Sequence, residues 1–144
     1  MFGYYGLFEP DSKRGGFVVT FPDLEHGATQ GETLEEAVDM AGDLLRCIVG
    51  ELMKRGDALP HPTKRRGKKY RLISLPALQS AKTEFYSAFR ASRIKKSELA
   101  RRIGIPKTNV ERIFDLDHAS RLDQIEAAFL AIGKKIELRI SSAA

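Results

Sequence analysis

Apolar positions alternate in the first part of the chain, fall into helical stripes through the middle, and alternate again near the end. Tyr4 to Glu9 (YYGLFE) is short and aromatic-rich, and Gly16 to Phe21 (GFVVTF) sets Phe17, Val19 and Phe21 on one face, so both read as strands. The turn-forming PDSKRGG between them makes a hairpin the simplest connection, and Pro22 ends the second strand because proline cannot continue a ladder. Ala28-Thr29-Gln30 is a brief third strand. From Thr33 to Arg55, Leu34, Val38, Ala41, Leu45, Ile48 and Leu52 recur at three- and four-residue spacing, with Ala37, Leu44 and Val49 widening the stripe. Thr33 and Glu36 have the form of a reciprocal capping box, and Gly56 stands where a left-handed cap closes a helix. Tyr70 to Leu75 (YRLISL) returns as a strand that Pro76 closes. Leu78 to Ser92 and Arg121 to Ile132 are amphipathic helices, the second stopped by Gly133. Lys135 to Ile140 (KIELRI) alternates Ile136, Leu138 and Ile140 with Glu137 and Arg139, the pattern of a half-buried strand. A lone terminal strand leaves an edge that a second copy can pair, which predicts a two-fold dimer.

Composition narrows the class. With 144 residues and 42% hydrophobic content, the chain has enough apolar material for one domain or two small ones. No run of about 18 apolar residues occurs, so no membrane span is expected. The start MFGYYGLFEP lacks a basic segment followed by an apolar one, so no export signal is visible and a cytoplasmic location is the default. Cys47 is the single cysteine, which rules out an internal disulfide and a cysteine-based zinc site; it is expected to pack at the margin of the long helix. The net charge of +5 conceals an asymmetry: residues 1–63 carry 5 Lys+Arg and 11 Asp+Glu, the remainder 19 and 8. An acidic half suits a basic partner and a basic half suits a polyanion.

Lys96 to Phe114, KSELARRIGIPKTNVERIF, reads as a helix, a tight turn and a second helix. Leu99, Ile103, Ile105, Val110 and Ile113 point to one small core, Ala100 is small where the helices cross, and Gly104 permits the turn. Pro106 suits the entry to the second helix, where its missing N–H costs nothing. Outside that core stand Lys95, Lys96, Arg101, Arg102, Lys107, Thr108, Asn109 and Arg112, the last four the candidates for base or phosphate contact by motif position: Asn109 for adenine, Arg112 or Lys107 for guanine. Ser97 begins the first helix, a place to hold a backbone phosphate. The basic run Lys64 to Lys69 is a solvated loop or a phosphate-touching arm.

FVVTFPDLEHGATQGETLEEAVDMAGDLL resembles the N-terminal domain of HicB-type antitoxins, through the strand ending in FPD, the TQG turn and TLEEA opening the long helix. SELARRIGIPKTNVERIFDLDHASRLDQIEAAFLAIGKKIELRI resembles the helix-turn-helix carried by one branch of that family. The chain has Ala28, in GAT, where the family commonly carries a cysteine, a position better suited to packing than to chemistry. The resemblance implies an α+β protein. Residues 1–76 would form a partial RNase H-like, toxin-binding domain of three strands, a long helix and a returning strand. Residues 77–144 would form a helix-turn-helix domain for DNA binding and dimerisation, with its terminal strand. It implies as partners a HicA-type toxin that cleaves mRNA and operator double-stranded DNA, while the terminal strand predicts a homodimer or higher homo-oligomer through the C-terminal domain. The acidic long helix (Glu35, Asp39) and the loop Asp23 to Gly31 (Asp23, Glu25) are both available to the toxin, and the sequence does not choose between them.

Two other readings compete. An RNase H-like nuclease needs clustered carboxylates for metal ions, and only Glu9, Asp11 and Asp23 lie near early strand ends. His26, His61 and His118 lack ligand-like spacing, so no catalytic residue, metal site or cofactor is expected. A stand-alone DNA-binding regulator with a small-molecule-sensing N-domain is the alternative, for which no ligand signature is visible.

Overall fold

Three strands, a long helix and a returning strand come first: β1 (Gly3–Pro10), β2 (Phe17–Thr20), β3 (Ala28–Gly31), α1 (Leu34–Arg55) and β4 (Tyr70–Ser74). Helices α2 (Ala77–Ser92), α3 (Lys96–Ile103), α4 (Lys107–Ile113) and α5 (Leu122–Ala131) follow. The computed structural model describes residues 1–143; Ala144, the end of the expected second domain, lies outside the described residues.

The sheet is antiparallel throughout, in the order β3-β2-β1-β4. Pairing Tyr4 with Ile73 and Phe8 with Val19 sets these four buried side chains on one face, beneath α1. The fully packed line of α1 is Ala37, Ala41, Leu45, Val49 and Met53. This line is turned from the expected stripe: Leu34, Val38, Leu44, Ile48 and Leu52 are only partly buried beside it. The alanines explain the rotation, because small residues let the helix backbone approach the sheet while longer side chains drape over the flanks. The approach is closest at Gly31, where a Cβ would lie 2.3 Å from the Ala37 nitrogen. Thr33 Oγ1 accepts the Glu36 N–H as expected, but Glu36 Oε2 accepts from Glu32 N at 2.8 Å rather than from Thr33. Gly56 closes α1 at φ 76°.

A second core joins α2 to α5 through Phe85, Phe89, Leu99, Val110, Ile113, Ile125 and Ala128. Phe114 packs against both cores, its ring 5.0 Å from Phe89 and 5.5 Å from Phe85. Tyr86 and Leu116, although late in the chain, are buried in the sheet core. The Tyr86 hydroxyl donates to the Asp57 carbonyl at 2.6 Å and Arg46 pairs with Asp117, so the helical half is docked on α1.

The expected terminal strand does not form: residues 134–143 make no ladder in the single chain. Only Ile136 is half-buried, while Leu138 and Ile140 are 72% and 89% exposed. A strand exists through bonds to a neighbour, and the chain offers this segment none.

Candidate functional site

Helices α3 and α4 meet through a three-residue connection whose geometry follows from its sequence. Gly104 takes φ 77°, open to glycine at little cost, and its N–H and that of Ile105 donate to the Ala100 carbonyl at 2.8 and 3.2 Å. Pro106 then enters α4 at φ −60°. Leu99, Val110 and Ile113 are fully buried and fix how the two helices cross. Lys107, Thr108 and Arg112 therefore face solvent, Asn109 is half-buried beside them, and Ser97 is exposed in the first turn of α3.

Not all the positive charge here is free. Lys96 bonds Glu111 at 2.9 Å across the two helices, with its ammonium 4.7 Å over the Phe114 ring. Arg101 and Arg102 both donate to Glu98, and Arg102 also reaches the Ala131 carbonyl at 2.9 Å. These guanidinium bonds hold the Glu98 carboxyl down at about 2. Lys107 and Arg112 on α4, and Lys95 just before α3, enter no ion pair among the described residues.

A residue that sequence reasoning missed holds α4 in place. Lys82 is fully buried, and its Nζ donates to the carbonyls of Arg112 (3.0 Å), Asp115 (2.6 Å) and His118 (2.6 Å). One ammonium thus ties the last turn of α4 to the loop after it, adding a charged donor to carbonyls that each already accept a backbone N–H. The signal was available: Lys82 interrupts the apolar line Leu78, Phe85, Phe89 at helical spacing.

The acidic candidates separate in the structure. Asp23 Oδ2 accepts from Thr63 N at 2.7 Å and Oδ1 from Arg65 at 2.9 Å, and its side chain is 8% exposed. Burial pushes its pKa up, but these bonds outweigh it and keep the carboxyl below its ordinary range. Asp23 therefore anchors the segment after α1 to the β2–β3 connection. Glu25, Glu35 and Asp39 are exposed, Glu25 in the β2–β3 connection and the other two on the first turns of α1. The structure does not bring all four together. Asp11 accepts from the N–H groups of Lys13 and Arg14, a turn role. Among the described residues no group of three or more His, Cys, Asp and Glu side chains could hold a metal ion. Within the basic run, Arg65 lies back on Asp23 and over the Tyr70 ring at 5.7 Å, while Lys64, Arg66, Lys68 and Lys69 are exposed. Cys47, expected to pack, is exposed on α1. No helix among the described residues is long and apolar enough to cross a membrane.

Comparison with known proteins adds the family context. A family model described as HicB_like antitoxin of bacterial toxin-antitoxin system matches residues 4–84. Antitoxin HicB of Escherichia coli (strain K12) is 36% identical over 124 residues, covering 86% of this chain and 89% of that protein. Antitoxin HicB 1 of Photorhabdus laumondii subsp. laumondii is 35% identical over 128 residues, 89% of this chain and 81% of its own length. Alignments of that length cannot fit within the first 84 residues, so the likeness runs on into the helical half. A chain of a toxin–antitoxin complex from Streptococcus pneumoniae superposes with TM-score 0.46 and 21% identity, over 76% of this chain and 93% of the other.

Proposed function

The chain belongs to the HicB-like antitoxin family of bacterial toxin–antitoxin systems, and from that premise we propose how its two ends divide the work. The sheet and α1 form a partial RNase H-like unit that binds and neutralises a HicA-type, mRNA-cleaving toxin. The α3–α4 pair acts as a helix-turn-helix that binds operator DNA and represses the operon. The protein works without catalysis, in the cytoplasm and as a homodimer, since two recognition helices must reach half-sites about one helical turn apart.

The observation that carries this reading is the uncommitted face of α4. Lys107 and Arg112 are exposed and enter no ion pair among the described residues, whereas neighbouring Lys96, Arg101 and Arg102 are held by carboxylates. A short helix offering free cations, a hydroxyl and an amide matches the donors and acceptors of the major groove. The acidic balance of residues 1–63 supports the other end, since it attracts a cationic RNA-binding surface and speeds encounter.

Asn109→Ala tests the DNA end. Its half-buried amide suits a bidentate bond to adenine, so the variant should lose about 1–3 kcal/mol of operator affinity. Toxin neutralisation should stay intact. Equal operator affinity for both proteins in a gel shift at matched salt would contradict the assignment.

A further inference from the structure

We propose that the cleft between α1 and the β2–β3 connection receives an apolar side chain from a cationic protein surface, that of the toxin. This rests on the toxin-binding reading above and locates the contact within it.

The loop and the helix that the sequence leaves as alternatives form two walls of one cleft of about 640 Å³. Leu24 stands on the loop side, Ile48 and Leu52 on the helix side, and Pro60 on the strap that follows α1. Such a lining offers an apolar side chain a place out of water. The rim supplies charge. Asp23 is committed to Thr63 and Arg65, and Asp57 to Arg55 at 3.0 Å, so those carboxylates are already matched. Glu25 and Glu51 are exposed and enter no ion pair among the described residues. Two unmatched carboxylates over an apolar floor, in a half of charge balance 5 against 11, fit a surface that offers an apolar side chain flanked by Lys or Arg.

The cleft is also held open in advance. The Tyr4 hydroxyl donates to the Pro60 carbonyl at 2.6 Å, Tyr86 donates to the Asp57 carbonyl at 2.6 Å, and Thr63 is bonded to Asp23. A wall fixed at three points loses little freedom on binding. The neighbouring cleft between α1 and α4 shares Cys47 and Glu51 with this one but differs in charge, because Lys54, Lys96 and Arg46 join carboxylates in its lining and give it no single sign.

Cys47, the chain's single cysteine, is exposed on the ridge of α1 that borders both this cleft and its neighbour, so its protection reports cover of that ridge, and Glu25, which lines only this cleft, assigns the side. The full chain is purified alone and with its co-expressed HicA-type toxin, and Cys47 alkylation by iodoacetamide is timed in each. Toxin should slow the reaction about tenfold or more. Glu25→Lys combined with Glu51→Lys should raise the toxin Kd about tenfold or more at low salt, and the gap should narrow as salt rises. Glu35→Lys combined with Asp39→Lys, at the opposite end of α1, should change the Kd by less than about threefold. Circular dichroism checks that both variants stay folded. A complex with unprotected Cys47, or one whose affinity the Glu25/Glu51 reversal leaves unchanged, overturns the cleft as the contact and leaves toxin binding standing. Failure of the unaltered chain to form any complex overturns both.

Discussion

Burial pushes the Lys82 pKa down, and Asp115 and Asp117 only partly offset it, yet three carbonyl acceptors make the site a good one for an ammonium. Replacing it with methionine keeps the length and removes all three bonds. Lys82→Met should therefore cost about 2–4 kcal/mol in urea unfolding, and exchange of the α4 amides should quicken more than that of β1. Tyr4 poses a smaller case: its buried hydroxyl, pushed up to about 12 by burial first and then by Asp23 and Glu84, holds Pro60. Tyr4→Phe should cost about 1 kcal/mol. A phenol raised in the folded state stabilises below its unfolded value of 10.0 and loses that contribution as pH climbs through about 12. Glu98 runs the other way. Its carboxyl is lowered from 4.5 to about 2, so its contribution is present above 4.5 and disappears as pH falls through about 2. The pair is exposed, so salt should weaken it. An NMR titration should place the Glu98 midpoint near 2 in low salt and higher in concentrated salt; an ordinary glutamate midpoint in low salt would contradict the bonding seen.

Leu116 lies in the loop after α4 but is buried against the sheet core, which makes it, with Phe114, an apolar link between α4 and the long helix. Leu116→Ala should cost about 2–4 kcal/mol, read as a lower urea midpoint. It should also loosen the Arg46–Asp117 pair beside it. That link is a long-range contact and left no trace in local pattern. Most elements did leave one. Alternation in GFVVTF, the Thr33 and Gly56 caps and the Gly104-Ile105-Pro106 turn encode local geometry directly, and the elements start and stop within a residue or two of where these signals stand. The rotation of α1 was hidden because its spacing fits two neighbouring stripes; the choice is made by how closely Ala37 can approach Gly31. Asp23 was misleading for a similar reason: its residue type suggests a free acidic contact, while its partners Thr63 and Arg65 lie about forty residues away. The alternation in KIELRI was legible as strand potential, but a strand also needs a neighbour to bond, and within the single chain the segment has none.

At the scale of the molecule, acidic and basic charge are carried at opposite ends of the sequence, and Leu138 and Ile140 are exposed apolar side chains on the tail proposed to dimerise. Pairing of two such tails would bury apolar side chains and complete both edges. Leu138→Glu combined with Ile140→Glu should convert a dimer to a monomer in sedimentation velocity and weaken operator binding, while each chain still binds toxin. An unaltered chain that sediments as a monomer at micromolar concentration would contradict the tail's role. On the proposed division of work, one chain binds two partners through separable ends. Fluorescence anisotropy tests it directly, with labelled toxin and labelled operator titrated separately by the unaltered chain, by Asn109→Ala and by the Glu25→Lys/Glu51→Lys variant. The unaltered chain should bind both ligands, the first variant should lose operator and keep toxin, and the second should lose toxin and keep operator. Loss of both ligands together in either folded variant would contradict it, as would an unaltered chain that binds only one.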